Sequence, residues 1–193
     1  MKKLLALFAL LIALGTHAQG KDNQFEQFGD AMRFLPLYVM IVSVAMEDYE
    51  GAGQLVLGTL TTQVATEGIK KGLEALHEKG GYELAFAKRP CCDDWKGMPS
   101  GHASGAFSAA GFVYYRYGWK PAIPVTLLAT LTAASRVEAK KHSVLQVSAG
   151  SLLAWGFAWL FTNEYMPKDV MITPSVESDE KGSSVGVNVS YRF

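Results

Sequence analysis

Cysteine is almost missing from this chain of 193 residues: there are two, and they are neighbours, Cys91 and Cys92. Neighbouring cysteines cannot staple distant segments, and a bond between them is strained, so a disulfide framework of the small secreted kind is excluded. Each is expected to pair with another molecule or to stay a free thiol, an incidental loop residue. Net charge is missing too, because 18 Lys and Arg balance 18 Asp and Glu. Without excess positive charge there is no electrostatic footprint for nucleic acid, and no nucleic-acid partner is expected. Histidine is scarce, four in all. No cluster of His, Cys, Asp and Glu has the spacing of a metal site, so neither a metal nor another cofactor is expected. No internal repeat or low-complexity tract occurs.

What is present is apolar sequence. Met1-Lys2-Lys3, an apolar run over residues 4–14 and the small residues ending at Ala18 form the pattern of a secretory signal peptide. Cleavage after Ala18 is expected, with an uncleaved anchor as the alternative. Five segments then carry few or no charges: residues 34–46, 52–66, 97–115, 122–134 and 143–162. The last matches the ~20 residues that cross a bilayer. Such segments are either membrane spans or the all-round-buried helices of a soluble bundle. The spacing predicts helices over 31–46, 52–76, 103–115 behind an N-cap at Ser100, a fourth ending near 137, and 142–162. A polar stretch precedes them at 19–30, and a long connection runs from Gly80-Gly81 to Pro99. Alternation with period two over 170–176 and 185–193 predicts a β-hairpin. The expected architecture is all-α: a bundle of about five core helices over residues 19–168, embedded in the membrane, with a short hairpin in the tail at 169–193. Removal of residues 1–18 would leave the new N-terminus outside the inner membrane. Five spans would then put the 88–99 and 135–142 loops together on the periplasmic face.

Those two loops hold the chemistry-bearing residues: Lys88-Arg89-Pro90, then Pro99-Ser100-Gly101-His102, then Ser135-Arg136 followed by His142. Arg89 and Arg136 supply planar forks suited to phosphate oxygens. Ser100 and Gly101 stand at a helix start, where backbone N–H groups and the helix dipole favour an anion. Two imidazoles, with pKa values near neutrality, can handle a nucleophile and a proton.

In order and spacing these segments resemble the three-part motif of the type 2 phosphatidic acid phosphatase family, which includes the bacterial acid phosphatases and vanadium haloperoxidases. That motif runs Lys-x6-Arg-Pro, Pro-Ser-Gly-His, and Ser-Arg-x5-His-x3-Asp. The resemblance covers roughly residues 66–159. It implies an all-α fold of that family's type and a phosphatase needing no metal. His142 would be the nucleophile that carries a phosphohistidine, and His102 the general acid and then base. Arg89, Arg136, Ser100, Gly101 and a lysine would bind phosphate. The substrate classes implied are a lipid phosphomonoester or diphosphate: phosphatidate, undecaprenyl diphosphate or lipid A. The membrane would be the setting and the periplasmic face the site of action. A soluble periplasmic phosphatase for small esters is the alternative; bound vanadate has no support here.

The chain departs from the motif twice. Seven residues before Arg89 stands Tyr82, not lysine. Lys70 takes that role by the likeness of residues 66–70 to the family's helix end, with Lys71, Lys79 and Lys88 as rivals. Four residues after His142 stands Gln146 in place of aspartate. On a helix it shares a face with His142, and its amide oxygen can accept the Nδ1–H bond. It cannot supply negative charge. In the serine-protease triad a comparable aspartate-to-amide change lowers turnover about ten-thousandfold through the wrong tautomer. Glu138, Asp93 and Asp94 are alternative sources of the charge. Gln146 therefore also motivates a rival class, a protein that binds phosphorylated lipid with little turnover. The headgroup and the oligomeric state stay open at this level.

Overall fold

A computed structural model describes residues 24–166, 170–179 and 182–191; the expected signal peptide lies outside them. The chain divides into two compact units at Asn163 and Glu164. The first is helical: α1 Gln24–Met32, α2 Leu35–Ala45, α3 Tyr49–Gly80, α4 Gly101–Tyr117, α5 Trp119–Glu138 and α6 Val144–Phe161. The second is a two-stranded antiparallel hairpin, β1 Val170–Asp179 and β2 Gly182–Tyr191. Its register pairs Val176 with Val185 and Asp179 with Gly182. The ladder thus runs through part of the 177–184 segment expected to be a loop. Val185, Val187 and Val189 of β2 are exposed.

Helix starts follow local chemistry. Asp48 caps α3 through a bond from Gly51 N–H at 2.9 Å, and Gly81 ends it in the left-handed conformation at φ +66°. Ser100 caps α4, and Ser143 caps α6 in a reciprocal capping box with Gln146. Two expectations need correction. The single helix over 31–46 is two helices bent by 47°. Pro36 in the first turn of α2 has no N–H to give, and its ring would meet the carbonyl of Met32, so the break falls before it. The stretch at 19–30 is not all irregular, since α1 begins at Gln24.

The cysteines also correct their expectation: Cys91 and Cys92 are bonded to each other. Residues 89–94 form a tight turn, closed by Arg89 N–H on Asp94 O at 3.0 Å, which brings the neighbouring thiols within bonding range.

α4 is the central helix, packed by α3, α5 and α6. Its inner faces are small, with Ala103, Ala106, Ala109 and Ala110 fully buried. A side chain on Gly111 would come within 2.7 Å of Ala158 on α6, so glycine there sets the close approach of the two helices. The outward faces are apolar: Leu57, Leu60 and Val64 on α3, Ile123 and Leu127 on α5, and Leu152, Trp159 and Leu160 on α6 are exposed. Among the described residues one helix, Val144–Phe161, is long and apolar enough to cross a bilayer, and the bent pair α1–α2 passes as a unit.

At one end of the bundle Asp48, Arg116 and Tyr117 form a closed network. Arg116 donates to both Asp48 oxygens at 2.8 and 2.5 Å and to Asn163 O at 3.0 Å. Tyr117 Oη donates to Asp48 Oδ2 at 2.7 Å. The candidate site occupies the other end.

Candidate active site

α3 ends, α4 begins, α5 ends and α6 begins at one end of the bundle, and α1 and α2 meet there. A cavity of about 650 Å³ opens between these elements. Lys70, Arg89, Gly101, His102, Arg136 and His142 all line it. Of the rival lysines, Lys71 and Lys79 are exposed, and Lys88 pairs with Asp93 at 2.6 Å and lies over the Trp95 ring. Lys70 is buried, pairs with Glu67 at 3.2 Å, and would be 3.3 Å from any Cβ placed on Gly101. Glycine at the first turn of α4 leaves room for that ammonium.

His142 follows the end of α5 and is buried. Its Nδ1 is 2.9 Å from Gly97 O and 3.1 Å from Gln146 Oε1. Both partners are acceptors, so Nδ1 carries the proton and Nε2 keeps a lone pair. Burial, together with the charges of Arg89 and Lys70, outweighs these hydrogen bonds and pushes the His142 pKa down to about 4. The ring is therefore neutral at pH 7.

Gln146 is fully satisfied. Its Oε1 accepts from His142 and from Ser143 N–H at 3.1 Å, and its NH₂ donates to Phe86 O at 2.9 Å and Lys88 O at 2.8 Å. These donors fix the amide's orientation and tie the segment just before Arg89 to the helix that follows His142. A carboxylate here would face two carbonyl oxygens without a proton to offer. Gly97 is part of the same fit, since a Cβ there would lie 2.5 Å from Gln146 Nε2. Asp93 and Asp94 pair with Lys88 and Arg89 instead, and Glu138 borders a separate apolar groove.

His102, in the first turn of α4, has Nε2 2.8 Å from Asp30 Oδ1, and the same oxygen accepts from Arg136 Nη1 at 2.8 Å. Burial and the neighbouring Arg136 lower the His102 pKa despite the Asp30 contact. Arg136 is buried and also donates to Glu26 O at 2.5 Å and Ser135 Oγ at 3.2 Å. Gly29 on α1 lets the two helices close over it, because any side chain there would strike Ser135 and Arg136. Arg89 Nε lies 3.3 Å from Asp94 Oδ1 but has no hydrogen-bond partner among the described residues.

Ser100 differs from expectation. Its N–H donates to Gln146 O at 3.0 Å and its hydroxyl accepts from Ala103 N–H at 3.5 Å. Both groups serve the helix start, and the residue is sealed from the cavity, so Gly101 rather than Ser100 faces it. Sequence reasoning missed Asp30, Arg33, Glu67 and Lys141, which also line the cavity. Asp30 stands 72 residues before its imidazole partner; only the amphipathic pattern of residues 24–32 could have drawn α1 to the bundle. Among the described residues no group of three or more His, Cys, Asp or Glu side chains is arranged to hold a metal ion.

A helical bundle whose end gathers two imidazoles, two arginines and a lysine around a helix start is a phosphatase of a defined class, and the chain belongs to the PAP2 superfamily, which it matches over residues 52–168. It is 55% identical over 199 aligned positions to the lipid A 4'-phosphatase of Helicobacter pylori strain J99, with all of both chains covered. No solved structure matches it significantly.

Proposed function

We propose that this lipid phosphatase removes a phosphate monoester from a lipid of the lipid A class, at the periplasmic face of the inner membrane. The observation that carries the reading is the fixed tautomer of His142, with its Nδ1 proton held by Gly97 and Gln146. Nε2 attacks phosphorus, a P–N bond forms and the P–O bond to the lipid breaks. Lys70, Arg89 and Arg136 take the charge on the equatorial oxygens, and Gly101 at the helix start adds the dipole. His102 protonates the leaving oxygen, then removes a proton from the water that cleaves P–N and frees inorganic phosphate.

Asp30 supports the same reading. It accepts one imidazole proton and one guanidinium proton, the contacts a phosphate oxygen would make. Substrate binding displaces it. Gln146 makes four hydrogen bonds of the right kind, which favours an orienting role over a degenerate binder. The membrane setting rests on the apolar outer faces and on length: the 18 residues of the apolar helix α6 span about 27 Å, near the hydrocarbon thickness. The membrane-embedded segments are residues 35–45, 52–66, 103–115, 122–134 and 144–161, leaving both histidines at the interface.

The test is phosphate release from a lipid A-type phosphoglycolipid by detergent-solubilised protein, against His142→Ala. Release that vanishes in the variant supports the reading; release that survives ends the mechanism.

A further inference from the structure

The cavity is deeper than a phosphate needs. It continues from Lys70 along α3 to Glu67, Gln63 and Thr59, which recur at helical spacing and so share one face. The 11 steps from Thr59 to Lys70 cover about 16 Å. Across from this polar stripe the wall is apolar, formed by Phe34, Pro36 and Leu37. On its outer side α3 shows lipid-like Leu57, Leu60 and Val64.

Two side chains of the stripe have unused bonding capacity. Thr61 and Thr62 each return their hydroxyl to the carbonyl four residues back, at 2.8 and 2.7 Å. Thr59 does not: its Oγ1 is sealed from solvent and has no hydrogen-bond partner among the described residues. A hydroxyl in that state is unfavourable unless a partner arrives, and threonine in a helix has a second χ1 well to turn to. Gln63 also lines the cavity and donates through Nε2 to Ser104 Oγ at 3.2 Å, which leaves its carbonyl oxygen as an acceptor. On the cavity face these side chains are better satisfied by a polar occupant than by an acyl chain.

Resting on the phosphatase reading above, we propose that Thr59 and Gln63 form a subsite for the hydroxyl and amide groups between the phosphate and the acyl chains of a phosphorylated glycolipid. The phosphate sits at Lys70 and His142, the sugar follows the stripe inward, and the first acyl carbons lie against Phe34, Pro36 and Leu37. A glycerolipid phosphate has only ester groups at that depth and leaves the stripe largely unpaired. The subsite thus selects between substrate classes without touching the reacting atoms.

The test compares kcat/KM for a lipid A-type phosphoglycolipid and for phosphatidate of matched chain length, with full-length detergent-solubilised wild type, Thr59→Val, Thr59→Ser and Gln63→Leu. Thr59→Val and Gln63→Leu should each lower kcat/KM on the glycolipid about three- to tenfold, the worth of one hydrogen bond. On phosphatidate the loss should stay under about twofold, and Thr59→Ser should restore glycolipid preference. Equal losses on both lipids, or none on either, would overturn the subsite. If wild type releases no phosphate from either lipid, the same variants are read by equilibrium binding. Loss of glycolipid affinity alone would then keep the subsite and end the phosphatase reading; unchanged affinity would end both.

Discussion

The two ends of the bundle each bury an arginine, and what faces each one separates structure from chemistry. Arg116 has a side chain 4% exposed against Asp48 at 2%, and Tyr117 completes the shell. Arg136 is 2% exposed, but its carboxylate partner Asp30 is 50% exposed and borders a cavity. Burial alone would raise the Asp48 pKa. Hydrogen bonds from Arg116, Tyr117 and Gly51, with the charge of Arg116, reverse that and hold it at about 2. The sealed pair holds helices together. The open pair keeps a partner that a phosphate oxygen can replace.

Breaking each end should give different kinds of damage. The largest effect belongs to the proposed nucleophile: His142→Ala should lower turnover by about 10³-fold or more, in a protein whose thermal unfolding is little changed. Asp48→Ala leaves buried Arg116 with the exposed Glu50 at 3.9 Å as its nearest remaining carboxylate, so it should cost about 3–5 kcal/mol of stability, with turnover per folded molecule unchanged. Denaturant unfolding checks this. The sign with pH follows from the lowered carboxyl pKa. The contribution of Asp48 is complete above its ordinary value of 3.8 and is lost as pH falls through about 2.

Asp30→Asn is the matched change at the open end. It should cost under about 1 kcal/mol of stability, because the carboxylate is half solvated. Turnover at saturating substrate should change less than about threefold, because the substrate phosphate takes the place of Asp30 beside His102 and Arg136. Equal stability losses at Asp30 and Asp48 would erase the distinction between the two ends. Gln146→Asp should also lower turnover about tenfold or more, since it removes the donors to Phe86 O and Lys88 O that hold the segment before Arg89. A gain would mean that the site still needs the family's aspartate.

The smallest effect is in the pH profile. In the proposed mechanism His142 must be neutral to attack, and its pKa is held at about 4. His102 must be protonated to act as acid, and its pKa lies below the usual 6.5. kcat/KM should therefore rise through about pH 4 and fall before neutrality, and a Gln146→Glu variant should move the rising limb upward.

The bundle and His102, His142, Arg89 and Arg136 of the cavity wall are legible in the sequence because they are local. Pro-Ser-Gly-His fixes a helix start, and Ser-Arg-x5-His fixes a helix end and the turn after it. Lys70 is identifiable only by likeness to a helix end, and packing over Gly101 explains why it serves. Asp30 is hidden because its partners are remote in sequence and α1 looks polar. The role of Gln146 is half legible: spacing places its oxygen on His142, but no pattern foretells that Phe86 and Lys88 present carbonyls to its NH₂. The Cys91–Cys92 bond escapes a reading based on strain, which leaves out the turn that brings the thiols together.

The most direct test of the central claim is a rapid quench of the protein with phosphate-labelled lipid A-type substrate, followed by peptide mapping under alkaline conditions, where a phosphohistidine survives. Transient label is predicted on the peptide containing His142 and absent from His142→Ala. Label on another residue, or turnover with no labelled peptide at all, would contradict it.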